Sequence, residues 1–258
     1  MNRAPVSRSA ALSAILLAVP VGVVLLLLIM LGNWQIARLA WKQDLLATID
    51  QRIHNAPVPL SAALDRAGQG DDLEYQPVRV RGIFDHSRER HFLATWQGQS
   101  GFYLYTPLVL PQGEEIFINR GFVPYDLKDP ASRPDSLVAG PLAVEGLLRR
   151  PLTEKPSFIV PDNDPAQNVF YWKDLEAMAG DEASTPREHL IAFFIDQSAD
   201  AQAAPRQWPV GGVTRIDLPN NHLQYALTWY GLAATLVVVT AVFVIRQMRE
   251  RVRQGEEE

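Results

Sequence analysis

Two stretches of the chain carry no charged side chain, Ala10 to Leu31 and Leu223 to Ile245. As helices rising 1.5 Å per residue, each reaches roughly 33 Å, enough to cross a hydrocarbon core of about 30 Å. Only a helix satisfies its own backbone in lipid at this length, so both stretches predict transmembrane helices. The first is longer than the ~7–15 apolar residues of a signal-peptide core. The sequence after it, LGNWQIARLAWK, offers no small-x-small cleavage site, so the stretch predicts an uncleaved anchor. Pro20 can kink this helix, which neighbouring helices tolerate. Trp34, Arg38, Trp41 and Leu45 recur at helical spacing and carry it out of the membrane to about Ile53, where HNAPVP ends it.

Between the two helices the period changes. YQPVRVRGIFD alternates with period two, placing Val78, Val80, Gly82 and Phe84 on one face. RHFLATWQ, GFYLYTPLVL, EIFINRGFVP, LAVEGLLRR and HLIAFFIDQ read as further strands. Short helices are predicted near 61–68, in SAALDRAGQG, and near 172–180. All but Pro5 and Pro20 of the 19 prolines lie in this middle region, which favours short strands over helices. The predicted fold class is an α+β membrane protein: two transmembrane helices flanking an extracytoplasmic antiparallel β-rich domain, as a sheet or partial barrel. The division is a tail over 1–9, a helix over 10–31, the β-rich domain over 32–222, a second helix over 223–245 and a tail over 246–258. The last tail, RQMRERVRQGEEE, is charged and predicted to fray.

Charge adds orientation. Arg3, Arg8, Arg246, Arg249, Arg251 and Arg253 sit in the short tails and predict cytoplasmic ends, although Arg38, Lys42 and Arg52 follow the first helix on the other side. The central domain is then periplasmic or its organellar equivalent. There is no cysteine, which removes disulfides, thiol redox chemistry and iron–sulfur ligation. The net charge of -5 and the lack of a basic tract exclude nucleic acid as a partner.

No catalytic pattern emerges. GQSG at 98–101 lacks the spacing of a hydrolase elbow, and GQG at 68–70 stops short of a dinucleotide loop. DNDP at 162–165 starts like a calcium loop but lacks its glycine and closing glutamate. With no nominated nucleophile or base, the chain reads as a non-enzyme. His86, Glu89 and His91 are close enough in sequence to hold a metal ion, or simply to line a polar turn. His54 and His189 are isolated.

The stretch PNNHLQYALTWYG opens the second membrane helix. Pro219 with Asn220 or Asn221 forms a helix start. His222, Tyr225 and Trp229 then fall at i, i+3 and i+7, on one stripe. Asn33, Trp34, Gln35 and Arg38 leave the first helix at the same interface. One reading is an aromatic belt with a histidine near water. The other is a haem site, with His222 as axial ligand, aromatic neighbours, and Arg38, Lys42 or Arg215 facing the propionates.

Several phrases together carry a resemblance: LGNWQIARLAWK, YQPVRVRGIFDHSRE, GFYLYTPL, INRGFVP and PNNHLQYALTWYGLA. From about Leu31 to Ala233 the chain resembles the Surfeit locus protein 1 family, assembly factors for haem-copper cytochrome c oxidase. The resemblance implies two membrane spans around a periplasmic or intermembrane-space domain, and a role where haem a is inserted into the oxidase catalytic subunit. It implies haem a as a transiently bound cofactor with His222 as the ligand, near Tyr225, Trp229, Trp34 and Arg38. It also implies haem a synthase as a partner and, for this chain, the bacterial cytoplasmic membrane. The FDHSRE and NRGFVP loops read as turn chemistry with a structural role.

Overall fold

The structure, a computed structural model, describes residues 8–180, 186–199, 208–214 and 220–254, without the side chains of 8–17, 187, 251 and 254. The expectations placed on Arg3, Arg215 and Pro219 lie outside the described residues. The chain divides into two compact units, one within Met1–Ala47 and Asp217–Glu258 and the other within Thr48–Ile216.

The first unit holds two long helices. Helix α1 spans Arg8–Ile53, with Pro20 inside it, and ends where HNAPVP removes helical propensity. The other long helix spans His222–Gln254. It continues through the arginine-rich segment predicted to fray, because Arg, Gln, Met and Glu are good helix formers that lose little rotamer freedom there. Both helices contain segments long and apolar enough to cross a membrane.

The second unit is β-rich. Strand β1 (Val58–Pro59) leads into helix α2 (Leu60–Gly68). Strands β2 (Pro77–Phe84), β3 (Arg90–Trp96), β4 (Gln99–Val109), β5 (Glu115–Pro124), β6 (Leu142–Arg149) and β7 (Leu190–Gln197) follow, with helix α3 (Leu175–Ala179) between the last two. Among the described residues the sheet runs β1-β2-β6-β7-β5-β4-β3. It closes because β4 also pairs with β2, through Ile83 with Val109 and Phe84 with Leu108. Five strands thus form a barrel, and β1 and β3 are added at its margins. Most pairings are antiparallel; β5 with β7 and β1 with β2 are parallel.

The alternation in β2 sets its inner face, and Val78, Val80 and Phe84 are buried as the period requires. They join Leu108, Ile116, Ile118, Val144, Leu148 and Ile195 in the barrel interior, with Leu60 and Ala63 of α2 packed in. The opposite faces of β4, β5 and β7 carry a second cluster of Tyr105, Phe117 and Phe194, covered by Phe170 and by Leu175 and Met178 of α3. Strand β5 is covered on both faces, and all ten of its residues are buried. This is the burial expected of a central strand, yet β5 holds Asn119 and Arg120, which must therefore find partners inside.

Candidate functional site

The two long helices present a seam. On α1 between Ala18 and Trp41, the positions shielded from the surroundings are Val21, Leu25, Leu28, Gly32, Gln35 and Leu39. Their spacing alternates four and three, a heptad phase that keeps one stripe facing a partner helix. The His222–Gln254 helix, α4, shows the same phase in His222, Ala226, Trp229, Ala233, Leu236 and Thr240. Small residues mark the closest approach. A Cβ on Gly32 would lie 2.6 Å from Tyr230 Cε1. Glycine and alanine at such seams let helix backbones approach in lipid, where dispersion and hydrogen bonds replace the hydrophobic effect.

Two polar links cross the seam. His222 Nδ1 lies 2.7 Å from Gln35 Oε1. The amide oxygen can only accept, so Nδ1 carries a proton, and in the neutral ring Nε2 then keeps the lone pair. Tyr230 Oη donates to Asn33 Oδ1 at 2.7 Å. His222 is half-buried and Gln35 buried. Trp229 lies on the same seam with Nε1 buried and without a hydrogen-bond partner among the described residues. Tyr225 and Trp34 face outward, at 53% and 57% exposure. Arg38 is exposed and stacks its guanidinium 3.8 Å over the Trp41 ring. The predicted stripe therefore divides: His222 and Trp229 enter the seam, and Tyr225 faces away from it. Asn220 Oδ1 is buried without a partner among the described residues, so it caps no helix amide there. The signal that could have singled out Gln35 is its heptad register with the apolar residues before it.

Replacing Gly32 by leucine should pry the helices apart, because the Tyr230 ring it meets is held by Asn33. The chain has no cysteine. Cysteines placed at Gln35 and His222 should be joined by a short thiol cross-linker in the parent, and the yield should fall several-fold with Gly32→Leu. Equal yields in both backgrounds would show that the seam tolerates the bulk.

The other expected cluster is structural. His86 donates from Nε2 to Val138 O at 3.0 Å and accepts at Nδ1 from Arg120 Nη1 at 3.4 Å, so both nitrogens are used. His91 Nε2 donates to Glu89 Oε1 at 3.1 Å. Glu89 also receives both terminal nitrogens of Arg133, and Arg120 lies 3.7 Å away. No group of three or more His, Cys, Asp or Glu able to hold a metal ion occurs among the described residues. His86, Glu89 and His91 are thus not a metal centre, since arginine guanidinium groups take the carboxylate a cation would need. Burial pushes the Glu89 carboxyl up, but the hydrogen bonds from His91 and Arg133 outweigh it and hold it below the usual range. Burial lowers Arg120 to about 10, with Glu89 opposing and Arg133 reinforcing.

The neighbouring residues are tied the same way, although NRGFVP forms no strand-ending turn: Asn119 to Pro124 lie within β5, which pairs with β4. Asp85 accepts from Ser87 N at 3.1 Å and from Arg88 Nε at 2.7 Å, while Arg88 also binds Glu115. Asn119 Nδ2 donates to Asp196 Oδ1 at 2.9 Å, and Asn119 Oδ1 accepts from Gly121 N. Arg133 and Ser136, which complete the Glu89 cluster, were not legible, because DPASRPDSLV reads as an exposed proline-rich loop.

A model described as SURF1 family matches residues 22–234. The chain is similar to Surfeit locus protein 1 of Homo sapiens, 38% identical over 221 residues, covering 79% of this chain and 69% of the relative. Against the Xenopus tropicalis protein of the same name, identity is 37% over 235 residues, covering 84% and 72%. Against that of Takifugu rubripes it is 35% over 232 residues, covering 83% and 91%.

Proposed function

The chain belongs to the SURF1 family, and on that premise we propose that it is an assembly factor for haem-copper cytochrome c oxidase. It holds haem a on its helix pair through His222 and hands it to the oxidase catalytic subunit. It sits in a bacterial cytoplasmic membrane with both ends cytoplasmic and the β-barrel unit on the periplasmic side, and it takes its cargo from haem a synthase.

The observation that carries the cargo reading is the bond from His222 to Gln35. An imidazole that ligates a metal usually gives its other ring proton to a carbonyl or carboxylate, which fixes its orientation and raises its basicity. Gln35 Oε1 takes the Nδ1 proton in this way. Nε2 is left as the nitrogen able to bind iron. Of the expected aromatic neighbours, Trp229 shares the His222 stripe while Trp34 and Tyr225 are exposed off it, and Arg38 supplies a cation beside Trp41. Half-burial of the ligand suits release, since a carrier must give up what it holds.

The rival reading is a scaffold without cargo, in which the same bond only fastens the two helices. The visible spectrum of protein purified after co-expression with haem a synthase separates the two. The carrier predicts a haem a spectrum, and His222→Ala should weaken retention by about tenfold or more. Absence of haem at saturating supply, with oxidase subunits still copurifying, would leave the scaffold. Full haem retention by His222→Ala would remove this residue from the account.

A further inference from the structure

The β-barrel unit carries a second feature that the helix pair does not explain. A cavity of about 580 Å³ opens beside the end of β6, within the 300–1,000 Å³ common for small-molecule sites. Phe92, Tyr171 and Trp172 give it aromatic surface, and Leu152 lines it from the proline-rich strap after β6. The strap is fixed: Leu152 N donates to Lys173 O at 2.9 Å. Asn163 Oδ1 accepts from Tyr171 N at 2.8 Å and from Trp172 N at 3.3 Å, which holds the aromatic pair in place.

The polar groups of this cavity do not balance. Arg52 and Arg150 share Asp72, at 2.9 and 3.1 Å. Arg149 takes Glu74 at 2.7 Å and Asp196 at 2.9 Å. Lys173 is left with Asp196 at 3.9 Å and makes no hydrogen bond through its ammonium among the described residues. Asp196 accepts closer bonds from Asn119, Arg149 and Thr214, at 2.9 to 3.0 Å. Of the residues lining the cavity, Arg149, Arg150 and Lys173 are cations and Asp72 and Glu74 are carboxylates, an excess of one positive charge; Arg52 and Asp196, which do not line it, add one of each sign. The Lys173 side chain is only 19% exposed, and burial lowers its pKa, with Asp196 opposing. Trp172 Nε1 is buried and has no hydrogen-bond partner among the described residues. A buried donor without an acceptor is rare in folded proteins.

We propose that this cavity is a binding site for a planar, largely apolar molecule bearing one negative charge, of the aromatic carboxylate class. The flat body lies against Phe92, Tyr171 and Trp172, and the anionic group accepts from Lys173 and balances the excess cation. The site is independent of His222 and of any cargo on the helix pair.

The test uses the full-length protein in lipid nanodiscs with 5-fluorotryptophan in place of tryptophan. The ¹⁹F resonance of Trp172 is identified by its disappearance in Trp172→Phe. Titration with 2-naphthoate should shift this resonance saturably, and the uncharged 2-naphthamide should bind about tenfold or more weakly. Lys173→Met should weaken naphthoate to the level of the amide. Leu152→Tyr, at a position 42% exposed where a larger side chain does not disturb the core, should block both probes. A shift that grows linearly without saturating, or equal binding of acid and amide, would overturn the proposal. So would naphthoate binding unchanged in both Lys173→Met and Leu152→Tyr.

Discussion

Replacing Gly121 by alanine should lower the stability of the β-barrel unit by about 4 kcal/mol, a loss in the range reserved for a few severe mechanisms. In a unit of this size that corresponds to a fall of roughly 8–16 °C in the thermal midpoint of the purified protein. Two effects add. The residue has φ +120°, a backbone conformation that side chains with a Cβ rarely adopt. A Cβ there would also sit 2.0 Å from Val210 O and 2.3 Å from Val210 C. Those atoms cannot retreat, because Phe122 and Val210 exchange two backbone hydrogen bonds of 2.9 Å. Gly113 provides the control: its φ is +86°, and nothing lies within 4 Å of a Cβ built on it. Gly113→Ala therefore carries the conformational penalty alone, about 1 kcal/mol. If the two variants melt together, close approach to Val210 is not what requires glycine at 121.

The period-two pattern of β2 and the short runs bounded by Gly, Pro and Asn were enough to place β2 to β7, because half-buried strands write their faces into the sequence. Closure of the barrel was not legible. It depends on β2 meeting β4 at Phe84 and Leu108, and on β5 pairing in parallel with β7 across a long connection. Neither contact leaves a local periodicity. Polar residues were harder still. Arg133 in a proline-rich loop and Arg120 in a strand both look solvent-facing by type, yet they are 5% exposed, because one carboxylate from a distant loop meets them. In the helix pair, the sequence grouped His222 and Gln35 at one interface through topology. Which side chains meet there depends on helix phase: Gln35 and His222 share the heptad stripe, while Tyr225 and Trp34 lie off it.

Glu89→Gln should be nearly as damaging as the glycine change, although it keeps shape and volume. Glu89 is 4% exposed and is the carboxylate that Arg133, Arg120 and His91 surround. Neutralising it leaves two buried guanidinium groups without a counter-charge, a change that costs about 3–5 kcal/mol when one partner of a buried pair is removed. The pH dependence follows from the direction of the Glu89 shift. Its carboxyl titrates below the ordinary 4.5 in the folded chain, so the unfolded chain binds the proton more tightly. The stabilisation is fully present above the unfolded value and is lost as pH falls through the lowered folded value. The gap in thermal midpoint between parent and Glu89→Gln should therefore be widest near neutrality and close progressively in acid. Adding Arg133→Met to Glu89→Gln removes one of the stranded cations and should recover part of the loss, giving a clear coupling energy in the double-mutant cycle. A gap that stays constant with pH, or a double variant as unstable as the two losses added, would mean that Glu89 acts through packing rather than charge.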